Sequence, residues 1–322
     1  MNIKNVLSLF DGISCGRLAL DRAGIKYEKY YASEIDKYAI AIARYNYPDT
    51  VFVGDVRYLK GKDFKDIDII IGGFPCVDLS FCGKRRGMVT KEKIEIVSLE
   101  QYLELKKQKF EFEGQSYLFW EFVRLLKEIK PKWFLIENVK MQKKWEKVIT
   151  KVLNVKSIKI NSALVSAQNR ERLYWTNIPI KEKPENRNLL LKDIIENLVD
   201  QKYIVKQPYL LYSDVKTNDK YNLKVIGEIK SKEWLQRRRI FLIDSKSPTI
   251  TTDKKYHILH NNVVRKLTPI ECERLQTLPD NYTKYGLFDD GKVRKISDTR
   301  RYKMIGNGWT VDVVSWIFSF LR

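Results

Sequence analysis

The feature that most constrains the fold is a regular alternation of apolar, strand-like runs with helical patterns through the first half of the chain. Strands are predicted at 3–10, 29–34, 50–53, 66–73, 132–139, 155–160 and 172–178. Helices are predicted at 14–24, 36–46, 115–130 and through the 140s. This alternation predicts an α/β fold, a doubly wound and mostly parallel sheet with helices on both faces.

Polar residues and glycines directly follow several of these strands. They are the turn 10–16, Glu34, Gly54 with Asp55, the segment 72–76, and Glu137 with Asn138. Ligands of open parallel sheets bind beyond the carboxyl ends of the strands, so these positions form the candidate site.

The first of these positions suit an adenosine. Glu34 ends the second predicted strand, where a carboxylate can accept hydrogen bonds from both ribose hydroxyls. Asp55 follows the third strand and could accept from an exocyclic amine. The turn 10–16 lacks the GxGxxG spacing of a pyrophosphate site. The set indicates a cofactor such as S-adenosylmethionine; the alternative is that both carboxylates only cap helices or turns.

Cys76 lies on a loop at the mouth of the same crevice, where a thiol can act as a nucleophile once it loses its proton. Pro75 fixes the backbone before it. The loop that follows contains glycines that allow movement and basic residues available to phosphates. These are Gly83, Gly87, Lys84, Arg85 and Arg86.

Glu137 ends a very apolar strand, where desolvation should favour its neutral, proton-donating form. Arg170 and Arg172 alternate in an extended segment, so both should point to one side and could hold a base oxygen or a carboxylate. Ordinary ion pairs are the alternative for these arginines.

Composition sets the remaining bounds. At 322 residues and 44% hydrophobic content, the chain can bury a full core and form one large and one smaller domain. A net charge of +20 favours a polyanionic partner, nucleic acid first, although many lysines could simply be solvated. No apolar run approaches the ~20 residues of a membrane span and the N-terminus does not fit a signal peptide, which predicts a cytoplasmic protein without membrane contact.

No metal site is predicted. The cysteines are too scattered for a disulfide framework or a zinc site. They are Cys15, Cys76, Cys82 and Cys272. His257 and His260 are spaced to share a helical face, where packing is the more common role.

From about residue 179 the alternation fades. Strands are predicted at 237–244 and 247–252, a helix within 266–279 capped by Thr268 and opened by Pro269, and a glycine-containing turn and apolar helix at 305–321. Residues 89–113 read as an inserted, mostly helical excursion.

Taken in order, the motifs resemble those of the DNA (cytosine-5) methyltransferase family over almost the whole chain. They are LFDGISCG, SEID, GDV, GGFPCVDLS, ENV, QNRERLYW, RKLTPIECERLQTLPDNYT and IGNGWTVDVV. The type resembled is the bacterial or phage one, with likeness to the animal de novo branch. The resemblance implies the Rossmann-like fold of S-adenosylmethionine-dependent methyltransferases.

For catalysis, the resemblance implies that Cys76 adds to carbon 6 of a flipped cytosine and that Glu137 acts on ring nitrogen 3. Arg172 would hold the base carbonyl, with Arg170 and Asn138 supporting the geometry. The loop 77–88 would close over the base. PCVD replaces the more frequent PCQ, so the DNA contact of that glutamine does not transfer to Val77.

The implied cofactor is S-adenosyl-L-methionine, with S-adenosyl-L-homocysteine as product. The matching positions are Phe10, Asp11, Gly12, Glu34, Ile35, Asp55, Pro75, Asn307 and Trp309. The first turn lacks one glycine common in bacterial members, which leaves individual contacts there open.

The resemblance also implies a division into a catalytic domain, 1–178 plus 300–322, and a target-recognition domain with the following motif helix, 179–299. Double-stranded DNA is the expected partner, no obligate protein partner is expected, and a cognate restriction endonuclease would fit a restriction-modification enzyme. The predicted DNA contacts are Ser80, Gly83, Lys84, Arg85, Arg86, Arg237, Arg238 and Arg239.

Two alternatives remain at this point. One is a transfer RNA cytosine-5 methyltransferase on the same scaffold, whose Cys-Phe-Thr signature is not seen here. The other is a catalytically silent DNA-binding regulator, against which the retention of Cys76, Glu137 and Arg172 argues.

Overall fold

The computed structural model describes residues 2–80, 86–231, 238–252 and 256–321. Within these ranges, one large sheet has the strand order β3-β2-β1-β4-β7-β9-β8, and its first five strands are parallel. The strands are β1 (Asn2–Leu9), β2 (Lys26–Ser33), β3 (Val51–Phe52), β4 (Ile67–Gly72), β7 (Trp133–Val139), β8 (Ile158–Asn161) and β9 (Glu171–Thr176). The predicted α/β, mostly parallel sheet is confirmed.

Helices cover both faces of this sheet. The α-helices that the structure describes in full are α1 (Cys15–Arg22), α2 (Lys37–Asn46), α3 (Leu99–Lys107), α4 (Phe119–Ile129), α5 (Lys143–Leu153), α6 (Pro269–Leu275), α7 (Asp298–Asn307) and α8 (Val311–Phe318). Cys272 and Leu275 of α6 belong to a separate apolar cluster. In β4 the side chains alternate as a strand requires, with Ile69 and Ile71 in one apolar cluster and Ile70 in the other. The first cluster includes α1, α2 and α8, and the second includes α3, α4 and α5.

The last two strands of the large sheet run against the others. Strand β9 is antiparallel to both β7 and β8. Only residues 162–170 separate β8 from β9, too few for the crossover that parallel neighbours need, so the chain reverses between them.

A second sheet of five strands, in the order β10-β11-β12-β13-β14, lies in the second half of the described chain. Its strands are β10 (Tyr209–Asn218), β11 (Leu223–Ile229), β12 (Arg239–Leu242), β13 (His257–His260) and β14 (Val263–Lys266). The strand predicted at 237–244 is confirmed as β12. His257 and His260 lie in a strand, so the prediction that they share a helical face is wrong.

The strand predicted at 247–252 is also wrong. That segment is irregular because its polar groups bond to the 168–169 turn rather than to a strand. The Ile250 amide donates to the Gln168 side chain at 2.8 Å, and the Ser247 amide donates to the Ala167 carbonyl at 2.7 Å.

The helix predicted within 266–279 begins as expected, because Thr268 and Glu271 form a capping box around Pro269. After it, the hairpin of β15 (Tyr285–Leu287) and β16 (Val293–Lys295) packs on α2, where a Cβ on Gly286 would lie 3.0 Å from that of Ala41. Residues 285–295 therefore contact the sheet that holds the first half of the chain. The proposed division into 1–178 plus 300–322 and 179–299 stays a prediction.

In the excursion at 89–113, the helix α3 lies between two short strands, β5 (Val89–Thr90) and β6 (Phe112–Glu113), which pair with each other. The predicted helical character is thus confirmed for its middle only. At the C-terminus, residues 305–307 end α7, a turn follows at 308–310, and α8 is the predicted apolar helix. No helix of the described ranges is long and apolar enough to cross a membrane.

Candidate active site

A cavity of about 710 Å³ lies at the carboxyl ends of the parallel strands. All the predicted cofactor-binding residues line it, together with Cys76, Glu137, Arg170 and Arg172. Residues up to 299 positions apart in sequence therefore meet at one place, because Trp309 returns beside Phe10. The predicted catalytic residue outside this lining is Asn138.

The turn after β1 is held open by left-handed backbone conformations at Phe10, Gly12 and Ser14. The buried Asp11 carboxylate accepts hydrogen bonds from Ser14 Oγ at 2.5 Å and Tyr30 Oη at 2.7 Å. Burial raises the pKa of Asp11, and these hydrogen bonds oppose the shift. The Asp11 side chain thus shapes the turn from inside.

Glu34 joins this turn to the end of β2. Its Oε2 accepts from the Gly12 amide at 2.8 Å, and its Oε1 accepts from the amides of Ile35 and Asp36 at 2.7 and 2.8 Å. Burial raises the pKa of Glu34, and the three amides work against the shift. A carboxylate has about four acceptor positions, so one stays available to a hydroxyl in the cavity.

Asp55 is engaged by a residue that the sequence analysis did not select. Arg57 Nη2 donates to Asp55 Oδ2 at 2.5 Å, and this ion pair holds the pKa of Asp55 below its usual value. Arg57 also lines the cavity. An amine that binds Asp55 would therefore have to share this carboxylate with Arg57. The only sign of the ion pair in the sequence is that the two opposite charges are two positions apart.

Cys76 begins a tight turn directly after the Phe74–Pro75 segment. Its carbonyl accepts from the amides of Leu79 at 3.0 Å and Ser80 at 2.9 Å, which leaves its side chain partly exposed to the cavity. Burial, and then the nearby Glu137 carboxylate, raise the pKa of the Cys76 thiol, while Arg172 and Arg170 oppose the shift. The thiol is therefore mainly protonated at neutral pH.

This shift predicts how the reactivity of Cys76 changes with pH. Because the pKa is raised above the ordinary cysteine value, the thiolate fraction should still be rising at pH values where that of a free cysteine levels off. The test is the rate of Cys76 alkylation by iodoacetamide, followed on its own peptide by mass spectrometry. A plateau below pH 8 would contradict the prediction.

Glu137 is held by two donors. Its Oε1 accepts from Arg172 Nε at 2.9 Å, and its Oε2 accepts from the Trp309 indole N–H at 3.2 Å. The prediction for Glu137 considered only the apolar strand and omitted this ion pair. Gly73 makes room for the arrangement, since a Cβ there would lie 2.9 Å from the Trp309 nitrogen and 3.2 Å from Glu137 Oε2.

Arg170 is buried, and its guanidinium donates to the carbonyls of Ile250 at 3.0 Å, Gly306 at 3.1 Å and Gly308 at 2.9 Å. Burial and the neighbouring Arg172 lower the pKa of Arg170 to about 9. It thus fixes the turn that carries Trp309. The buried Asn138 amide donates to the Phe74 carbonyl at 2.9 Å and so fixes the segment before Cys76.

The predicted DNA-contacting residues lie elsewhere. Gly83, Lys84, Arg85 and Arg237 are outside the described residues. Arg86 is paired with Glu113 at 2.7 Å and Arg238 with Glu228 at 3.6 Å. Arg239 lies in β12 and Ser80 forms a β-bridge with Met141. Ser80, Arg86, Arg238 and Arg239 do not line the cavity.

Among the residues the structure describes, no group of three or more His, Cys, Asp or Glu side chains is arranged to hold a metal ion. The lining of the cavity carries thiol, carboxylate, guanidinium and ammonium groups.

The chain is similar in sequence to known DNA methylases. Residues 4–321 match the family model of C-5 cytosine-specific DNA methylases. The type II methyltransferase M1.ScrFI of Lactococcus lactis subsp. cremoris is 30% identical, over 96% of this chain and 75% of its own length. M.Bsp6I of Bacillus sp. (strain RFL6) is 27% identical, over 96% of this chain and 95% of its own.

Solved structures share the fold. The Entamoeba histolytica methyltransferase EhMeth superposes over the whole of both chains with a TM-score of 0.68 and 16% identity. The S. pombe Dnmt2 methyltransferase superposes over 99% of this chain and 98% of its own with a TM-score of 0.65 and 18% identity. With a family model matching nearly the entire chain, the protein belongs to the C-5 cytosine-specific DNA methylase family and is an enzyme of the DNA cytosine-5 methyltransferase class.

Proposed function

We propose that the enzyme transfers a methyl group from S-adenosyl-L-methionine to carbon 5 of a flipped cytosine in duplex DNA, with Cys76 as covalent nucleophile. The observation that carries the proposal is the convergence of Cys76, Glu137 and Arg172 on one cavity whose lining also includes the predicted cofactor residues. Nucleophile, acid and cofactor positions must meet at one base for this chemistry.

The proposed reaction consists of addition of Cys76, methyl transfer and elimination. The Cys76 thiolate forms a bond to carbon 6 of cytosine, and the electron pair of the 5,6 double bond moves towards carbon 5. Glu137 donates a hydrogen bond or proton to ring nitrogen 3, which withdraws charge as the S–C bond forms. The cofactor supplies an electrophilic methyl group. The carbon 5 proton is then lost to solvent water and its electron pair restores the 5,6 double bond, while the S–C bond breaks with its electron pair leaving on the Cys76 sulfur and ring nitrogen 3 returns its proton to Glu137.

Arg172 or Trp309 has to release an oxygen of Glu137 before Glu137 can contact a base. In the described structure both carboxylate oxygens are occupied by these donors, at 2.9 and 3.2 Å. A cytosine in the cavity would present its carbonyl oxygen to Arg172 and its ring nitrogen to Glu137. Arg172 can then contact both, because a guanidinium has five N–H donors.

The cavity fits the proposed cofactor. The free acceptor position of Glu34 suits a ribose hydroxyl, and the Ile35 side chain, 65% exposed beside it, offers an apolar surface to a base. Asp55 can accept a hydrogen bond from an exocyclic amine while it stays paired with Arg57. Phe10, Asn307 and Trp309 also line the cavity.

Duplex DNA fits the charge of +20. The target base has to leave the helix to reach Cys76, at a cost of a few kcal/mol that pocket contacts repay. The loop 77–88 is the proposed closing segment. The relatives named type II methyltransferases support a cognate restriction endonuclease as a functional partner, although an orphan methyltransferase of Bacillus phage SPbeta is also 25% identical over the whole chain.

The proposal is tested in cells that carry either the wild-type gene or Cys76→Ala. Bisulfite sequencing of their DNA is expected to show protected cytosines within one short sequence context for the wild type only. Absence of protected cytosines in every context would contradict the proposal. Labelled-methyl transfer to duplex DNA and to transfer RNA, assayed side by side, separates it from the transfer RNA alternative, which predicts label in RNA alone.

A further inference from the structure

The segment after the 89–113 excursion touches the loop that carries Cys76. The Ser116 hydroxyl donates to the Pro75 carbonyl at 2.8 Å, and Arg86 forms an ion pair with Glu113 at 2.7 Å. We call residues 112–118 the strap. It also forms a wall of the cavity through Gly114, Gln115, Tyr117 and Leu118.

Asp78 is the main side chain between this strap and the Cys76 turn. It is only 3% exposed, and its Oδ2 accepts from the amides of Gln115 at 2.8 Å and Ser116 at 3.3 Å. The strap reaches it through Gly114, which has a φ of +70°. A Cβ on Gly114 would lie 2.1 Å from Asp78 Oδ2, so this approach requires glycine.

The backbone of Asp78 fixes the base of the proposed closing loop. The Gly87 amide donates to the Asp78 carbonyl at 2.9 Å, so the intervening segment leaves from and returns to Asp78. Gly87 in turn lies against Trp145, where a Cβ would be 2.2 Å from the indole ring. The Asp78 carbonyl and the Trp145 ring therefore both fix the position of Gly87.

We infer that Asp78 is a positioning residue for the nucleophile. Its hydrogen bonds connect the Cys76 turn to the strap, which forms part of the cavity wall. Its role in catalysis rests on the proposed function, whereas its hold on Cys76 does not. Hydrogen bonds between the Cys76 turn and the strap also set the distance between the nucleophile and this part of the cavity wall. An error of about 1 Å in such a distance costs on the order of 100-fold in rate.

The experiment compares Asp78→Ala, Asp78→Asn and Ser116→Ala with the wild type. Two quantities are measured: the rate of Cys76 alkylation by iodoacetamide without DNA, and the rate constant of methyl transfer at saturating S-adenosylmethionine. Ser98→Ala is the matched control, because the Ser98 hydroxyl also accepts from a backbone amide of the excursion, that of Gln101 at 3.1 Å, but does not touch the turn.

We expect Asp78→Ala to change the alkylation rate by about fivefold or more and to slow methyl transfer by at least about tenfold. Asp78→Asn should recover part of both, since its amide oxygen still accepts one N–H. Ser116→Ala, which removes only the Pro75 contact, should show a smaller effect of the same kind, and Ser98→Ala should show none.

Two outcomes are distinguishable from each other. If Asp78→Ala and Ser116→Ala, both folded by circular dichroism, leave alkylation and transfer within twofold of Ser98→Ala, the inference is overturned. If alkylation changes as expected but the wild type transfers no methyl group, the proposed function fails while the hold of Asp78 on Cys76 stands. Should Asp78→Ala not fold, Asp78→Asn and Ser116→Ala decide the matter.

Discussion

Replacing Cys76 with alanine is expected to abolish methyl transfer, with a loss of about 10⁴-fold or more, while the affinities for cofactor and DNA stay within about threefold. The loss is large because the proposed bond to carbon 6 needs the thiolate of Cys76. Binding survives because the predicted cofactor contacts, such as Glu34, do not involve the thiol. The measurements are single-turnover methyl transfer, and equilibrium binding of cofactor and DNA.

The covalent step is checked with a duplex that carries 5-fluorocytosine at the target position. Wild-type enzyme with cofactor should form an adduct stable to denaturation, and peptide mapping should place it on Cys76. The matched control is Cys272→Ala, which removes a buried thiol of α6 outside the cavity and should keep the adduct. An adduct formed by Cys76→Ala, or none formed by the wild type, would refute the role of this residue.

The fold and much of the site were predictable because strand ends carry local signals. Glu34 directly follows β2 and Glu137 lies near the end of β7, and the carboxyl ends of parallel strands meet at one edge of the sheet. Residues that are distant in sequence but follow adjacent strands therefore converge by topology alone. The capping of α6 by Thr268 was equally local, since a capping box needs only four consecutive residues.

Contacts between distant segments were not predictable in the same way. Trp309 and Glu137 are 172 positions apart, and nothing in either segment signals the bond between them. Asp78 and the strap are likewise joined across 37 and 38 positions by backbone amides, which every residue has. The wrong strand at 247–252 has the same origin, because its polar groups bond to the distant 167–169 turn.

The replacement of Glu137 by glutamine is expected to slow methyl transfer by about 10² to 10⁴-fold, the range typical of a lost general acid. Glutamine keeps the size and one acceptor oxygen for Arg172, but its amide cannot transfer a proton to ring nitrogen 3. Cofactor affinity should stay within about threefold. The measurement is single-turnover methyl transfer at saturating DNA and cofactor, with Glu100→Gln as control, since Glu100 pairs with Lys127 on the surface.

Trp309→Phe tests how much the orientation of Glu137 contributes to the rate while its charge is kept. The variant keeps an aromatic ring in the cavity but removes the single N–H that reaches Glu137 Oε2 at 3.2 Å. A hydrogen bond of this kind contributes about 1 kcal/mol, so a rate loss of about fivefold is expected, far smaller than for Glu137→Gln. In the double variant the Trp309 substitution should cost little more, because the carboxylate it orients is already gone. Fully multiplicative losses would show that Trp309 acts independently of Glu137, and Glu137→Gln activity above a third of wild type would show that Glu137 does not act as the acid.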